Sequence, residues 1–244
     1  MSDWPNRPLI VTTELTASPV ATRVNVLRQN ASEQLALVQT VNLQESTDNW
    51  SSFATGPEGS VFCAIIGSSA VHEMCRKPGV ANASGGPFGA AAKAHYLYTA
   101  IRCICGFECD GEHRIAASFD DNCVRVFRVA GDGLCEMQQI WAPHANWKPD
   151  TLVGLADGAF CIDSSFTDPA DSKEKYAIEL CAADARGALS SPQRLMQFTS
   201  NVKLLSHSRA ADASDSAARI IATEHISGWT VSTTDLRVFL LQQK

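Results

Sequence analysis

The residues best equipped for chemistry form one short run, Cys103-x-Cys105-x-x-x-Cys109-x-x-x-His113. Thiolates and imidazole are good zinc ligands, and a metal there would pin a hairpin. The run lacks a paired Cys-x-x-Cys knuckle, however. Its three cysteines also share the parity of one strand face, as inward-pointing core residues do. The expected reading is therefore buried thiols acting as small hydrophobes, with no metal and no cofactor assigned.

Other constellations fail on spacing. Ser84-Gly-Gly-Pro-Phe-Gly-Ala-Ala-Ala-Lys93 sets glycines before a lysine, as a phosphate-binding loop does. Such a loop needs Gly-Lys-Ser/Thr in direct succession at a helix start, whereas Ala94 follows Lys93 here. His72-Glu-Met-Cys lacks the second histidine of a zinc helix, and no Gly-x-Ser-x-Gly nucleophile elbow occurs. Asp163, Asp168 and Asp171 cluster without the Asp-x-Asp-x-Asp-Gly pattern of a calcium loop. No catalytic residue is assigned. What remains suits contact: Arg76, Lys77, Phe88 and Lys93 around the glycine-rich insertion, and His144 and Trp147 in Trp141-Ala-Pro-His-Ala-Asn-Trp147. Tryptophan and histidine in rim loops are frequent interface anchors, and packing of one Trp between sheets is the competing reading.

Composition narrows the partner. The 244 residues carry a formal net charge of -6, with 45% hydrophobic and 19% charged residues. A protein living on phosphate backbones carries a basic face, so the balance argues against nucleic acid as the primary ligand. Nine cysteines, an odd number, behind no recognisable secretory leader suggest reduced thiols and an intracellular setting, cytoplasmic or nuclear. No apolar run approaches the roughly 20 residues that span a bilayer, so a soluble protein is expected.

The elements that must position these residues are strands. Short alternating or β-branched runs recur, among them Leu9–Thr13, Arg23–Arg28, Leu35–Asn42, Val61–Gly67, Ile101–Phe107, Arg114–Ser118 and Cys123–Val129, closed by Gly, Asp, Asn or Ser. A sandwich, a barrel or a propeller would each fit. An internal repeat favours the last. Val24-Asn-Val-Leu-Arg28 and Val124-Arg-Val-Phe-Arg128 stand 100 residues apart, and Leu236-Arg-Val-Phe-Leu240 follows after a further 112. Each spacing is close to two units of ~40–50 residues, the blade period.

Ile101 to Phe127 resembles a WD repeat. Phe107-Glu-Cys-Asp110-Gly111 is similar to the family's a–b turn, Ile115-Ala-Ala-Ser-Phe119 to its small-residue strand b, and Asp120-Asp121-Asn122 to its b–c turn. Phe127 stands where the family has the Trp of Trp-Asp, while Arg128 replaces the Asp and no Gly-His opens the repeat. The resemblance implies an all-β, WD-repeat-like β-propeller as a single domain over 1–244. About four and a half blades are visible, roughly 9–45, 46–95, 99–141, 150–199 and 201–244. The first strands either complete the last blade, or the ring stays open and a partner or a longer parent chain supplies strands. The function it implies is a non-catalytic scaffold binding other proteins within a stable complex. The alternative is a hydrolase on a propeller or sandwich.

Overall fold

Residues such as Ile115-Ala-Ala-Ser118 and Val124-Arg-Val-Phe127 are small, β-branched or aromatic, which suits a pleated surface covered on both sides. The computed structural model is built from such segments. It describes residues 9–17, 20–29, 33–43, 51–76, 86–89, 92–130, 133–140, 146–155, 158–183, 188–209, 218–227 and 232–241.

Five antiparallel meanders follow one another along the chain. The first contains β1 (Leu9–Ala17), β2 (Val20–Gln29) and β3 (Leu35–Asn42). The second contains β4 (Ser51–Thr55), β5 (Val61–Ile65), β6 (Ala70–Met74) and β7 (Lys93–Tyr96). The third contains β8 (Ile101–Cys109), β9 (Glu112–Phe119), β10 (Val124–Ala130) and β11 (Gly133–Ile140). The fourth contains β12 (Lys148–Gly154), β13 (Ala159–Thr167), β14 (Glu174–Ala182) and β15 (Gln193–Phe198). The fifth contains β16 (Asn201–Arg209), β17 (Ala218–Ser227) and β18 (Ser232–Leu241). Sheets meet through their first strands, β4 on β8, β8 on β12 and β12 on β16. Meandering sheets stacked through first strands form a β-propeller. Among the described residues no helix is long and apolar enough to cross a membrane.

Register identifies equivalent strands. First and second strands slip at Ile101/Cys103, Pro149/Leu152 and Leu204/Ser206. Third and fourth strands slip at Val126/Phe127 and Ile178/Glu179, and β2 and β3 slip likewise at Val26/Leu27. So β1–β3 match the second to fourth strands of a blade, and β16–β18 the first to third.

Apolar clusters fill the seams. Phe62, Ile104, Phe119 and Phe127 join the second and third blades, while Cys105, Phe107, Trp147 and Phe160 join the third and fourth. The backbones of the inner strands also come very close. A Cβ on Gly106 would fall on the carbonyl of Thr55, and one on Gly154 on the carbonyl of Gly106.

The outer strands are clasped by a repeated device. Gln39 of β3 and Gln138 of β11 face Val26 and Val126, each directly before its register slip. The Gln39 amide accepts from Phe88 N–H at 2.9 Å and donates to the Phe88 carbonyl at 3.2 Å. The Gln138 amide makes the same pair with Leu189, both bonds at 2.9 Å. Each gripped residue sits in an isolated bridge of the following blade, Arg76 with Phe88 and Ala183 with Leu189.

The Asp110-Gly111 turn has positive φ at both residues, 54° and 73°. These are the angles of the tight turn that matches strand twist. Nothing lies within 4 Å of a Cβ built on Gly111, so only backbone preference resists substitution. Gly111→Ala is expected to cost about 1 kcal/mol in urea unfolding. A cost several times larger would mean that the turn packs against something.

Candidate functional site

The starts of the inner strands and the turns between second and third strands share one rim. Arg102, Lys148 and Asn201, near the starts of β8, β12 and β16, line a polar cavity of about 220 Å³ with Asp150, Asp163, Glu174, Tyr176 and Lys203. Most of the strong charges in its walls are already committed. Arg102 donates to Asp120 at 2.8 Å, to the Pro149 carbonyl at 3.2 Å and to Asn122 at 3.4 Å. Lys203 pairs with Asp150. Burial pulls the Lys203 ammonium below its ordinary range, and Arg102 adds to that.

Beneath the cavity, polar side chains stitch blade to blade. Ser52 of β4 donates to the Ile104 carbonyl at 3.0 Å, accepts from Ile104 N–H at 3.1 Å and lies 3.2 Å from Cys103 Sγ. Cys103 in turn accepts from Leu152 N–H at 3.3 Å. Ser118 donates to the Asp150 carbonyl at 2.7 Å. Asp163, 1% exposed, accepts from Thr151 N–H on β12 at 2.9 Å and from Leu204 N–H on β16 at 2.7 Å. Burial pushes its carboxyl up to about 7, against the Thr151 and Leu204 amides and the Thr151 hydroxyl, which favour the charged form.

A second buried carboxylate, Glu179 of β14, is 0% exposed, and its Oε2 accepts from Trp147 Nε1 and from Ser164 Oγ, both at 2.7 Å. Trp147 directly precedes β12 and, at 1% exposed, fills the seam between the third and fourth blades. This corrects the sequence-based assignment of Trp147 to an exposed rim: its indole N–H has a buried acceptor, and the ring packs among apolar side chains.

The other assignments divide. Phe88 is 1% exposed and packs with Val24, Val26, Cys63 and Met74, so it belongs to the core and not to a contact surface. Arg76 and Lys93 are exposed. Lys77 and His144 lie outside the described residues. The residues of the blade motif lie in turns and in the seams. Ser118 is fully buried, Phe127 fills the apolar seam, and Asp120 pairs with Arg102. Asp121 pairs with Arg125 at 2.5 Å and accepts from the Cys123 amide at 3.3 Å and thiol at 2.9 Å. Burial pushes the Asp121 carboxyl up, but those donors outweigh it and hold the group below its ordinary value. Cys103, Cys105 and Cys109 line the apolar seam with Phe107 and Phe160, and burial raises all three thiols.

Sequence reasoning missed the two most exposed large apolar side chains among the described residues. Tyr96 ends β7 at 72% exposed, and Tyr98, in the link to β8, is 77% exposed. The Arg125 guanidinium lies 5.9 Å from the Tyr98 ring centre and 4.7 Å from that of Phe119. Arg76 and Lys93 sit at the opposite end of this hairpin, where Glu73 faces Lys93, while Ala70 faces Tyr96. Tyr-x-Tyr in a link between strands was the available signal.

No family model matches the chain, and no curated protein matches it. Among solved structures it is similar to the periplasmic gluconolactonase of Pseudomonas aeruginosa, at 15% identity over 93% of this chain and 72% of that one, with a TM-score of 0.48. It is also similar to the WD40 domain of SCAP from fission yeast, at 9% identity over 88% of this chain and 48% of that one, with a TM-score of 0.47.

Proposed function

We propose that this chain is a non-catalytic scaffold that binds other proteins through the rim carrying Tyr96 and Tyr98. The observation that carries this reading is the exposure of those two residues, 72% and 77%, with Tyr98 beside the Arg125–Asp121 pair. Tyrosine offers a large, rigid, amphipathic surface at low entropic cost, which is why it anchors interfaces. The buried acids fit the same reading, since Asp163 and Glu179 accept from groups that hold blades together. The rim of Tyr96 and Tyr98 replaces the Arg76–Lys93 end as the first surface to test. Free thiols at all nine cysteines suit a reducing compartment, cytoplasmic or nuclear.

The experiment is quantitative affinity purification from the native cell with three baits: wild type, Tyr96→Ala/Tyr98→Ala, and Arg76→Ala/Lys93→Ala. Loss of two hot-spot tyrosines is expected to weaken the principal partner at least tenfold while leaving the melting temperature within about 2 °C. Retention of every partner by the tyrosine variant would overturn the reading. The enzyme alternative rests on the 220 Å³ cavity over Asp163, whose carboxyl is pushed up to about 7. A turnover abolished by Asp163→Asn in a folded protein would favour it.

A further inference from the structure

The seam between the fourth and fifth blades differs from its neighbours in how polar groups cross it. Val153, Leu155, Val202 and Leu204 supply its apolar part. Across it, one carboxylate ties both inner strands, taking Thr151 N–H on one oxygen and Leu204 N–H on the other. The side chain is 1% exposed, yet it lines the floor of the rim cavity, so water is one small movement away.

Its electrostatic surroundings come from four strands. Arg102 and Cys103 face it from β8, Lys148 and Asp150 from β12, Glu174 and Tyr176 from β14, and Lys203 from β16. Arg102 is paired with Asp120, Lys203 with Asp150, and Tyr176 donates to Glu174. Among the described residues no cation lies within ion-pairing distance of Asp163 itself, so a charge placed there is balanced only by neutral donors, the Thr151 and Leu204 amides and the Thr151 hydroxyl.

We propose that ionisation of Asp163 loosens the joint between the fourth and fifth blades, which makes this seam a proton-sensitive clasp. In the closed seam the carboxyl is desolvated and holds its proton. When the seam opens toward the cavity, water solvates the carboxylate, and its pKa returns to that of an ordinary aspartate, about 3.9. Proton binding therefore favours the closed form. From about pH 4 to about pH 7 the closed seam holds a proton that the open seam releases, so closure weakens as pH rises through that window and levels off above it. The opening is local, a parting of β12 and β16 at one level, and the apolar residues beneath limit its extent.

Amide hydrogen exchange on the full chain tests this. With intrinsic chemical exchange corrected, the protection of Thr151 and Leu204 is expected to fall up to about a hundredfold between pH 5 and pH 7, one proton's worth over two pH units. Amides of β9, such as Ala116 and Ala117, serve as the reference and stay constant over that range. Asp163→Asn is expected to abolish the difference between the two sets. Should that variant fail to fold, the wild-type carboxyl is followed directly by carbon NMR, with a midpoint near 7 expected. A midpoint near 4, or protection at Thr151 and Leu204 that tracks the β9 amides at every pH, overturns the proposal.

Discussion

Gly154→Val is expected to be among the most damaging single substitutions in the described core. Gly154 lies on inner strand β12, and a Cβ there would fall on the carbonyl oxygen of Gly106 in β8. The obstacle is backbone and cannot rotate away, unlike the end of a flexible side chain. Overpacking a tight core costs about 1–3 kcal/mol even where side chains can adjust, so roughly 3 kcal/mol or more is expected here. For a chain of this size that corresponds to a fall in Tm of about 10 °C in thermal unfolding. Gly154→Ala should show most of the effect, because the clash begins at the first carbon. A melting temperature within 2 °C of wild type for Gly154→Ala would mean that β8 and β12 are further apart than described. Comparison with Gly111→Ala separates two uses of glycine. Gly111 supplies a positive φ in open space, whereas Gly154 supplies room between strands.

The second large effect is expected at Trp147. Trp147→Ala removes a fully buried indole from the seam between the third and fourth blades and should cost about 3–5 kcal/mol in chemical denaturation. It also takes one of two donors from Glu179 Oε2. Trp147→Phe keeps much of the ring and removes the N–H. It is expected to cost about 1–3 kcal/mol, the range for leaving a buried acceptor short of a donor. Because Ser164 donates to the same oxygen, Trp147→Phe and Ser164→Ala should not be additive. Additive costs would show that the two donors act on Glu179 independently.

The strand architecture was legible where local chemistry sets it. Asp110-Gly111 announces a turn because few other pairs tolerate two positive φ angles, and the turn forms there. The similarity of Val24–Arg28 to Val124–Arg128 marks equivalent third strands. The structure extends it to Gln39 and Gln138, which nothing in the local pattern singles out. The unit at 46–95 carries a weak strand pattern because β6 reads Ala-Val-His-Glu-Met, polar at its centre although His72 is only 1% exposed. That helix-neutral run becomes a strand through pairing with β5 and β7, a tertiary effect.

The site was less legible, for a related reason. Trp147 and Phe88 have the composition of contact residues, and each is buried by a partner far along the chain. Glu179 lies 32 residues from Trp147 and Gln39 lies 49 from Phe88, spans that no short window joins. Asp163 was noted only as one carboxylate of a loose acidic cluster. Its role depends on β12 and β16 arriving on either side of it.

The paired glutamines have one more implication. Gln39 fixes the chain at Phe88, and the bridge to Arg76 fixes it on the near side, so both ends of the segment between them are held. The number of residues spliced between those two moorings is thereby decoupled from the stacking of the sheets. Length there can drift, or be engineered, without disturbing how neighbouring sheets stack.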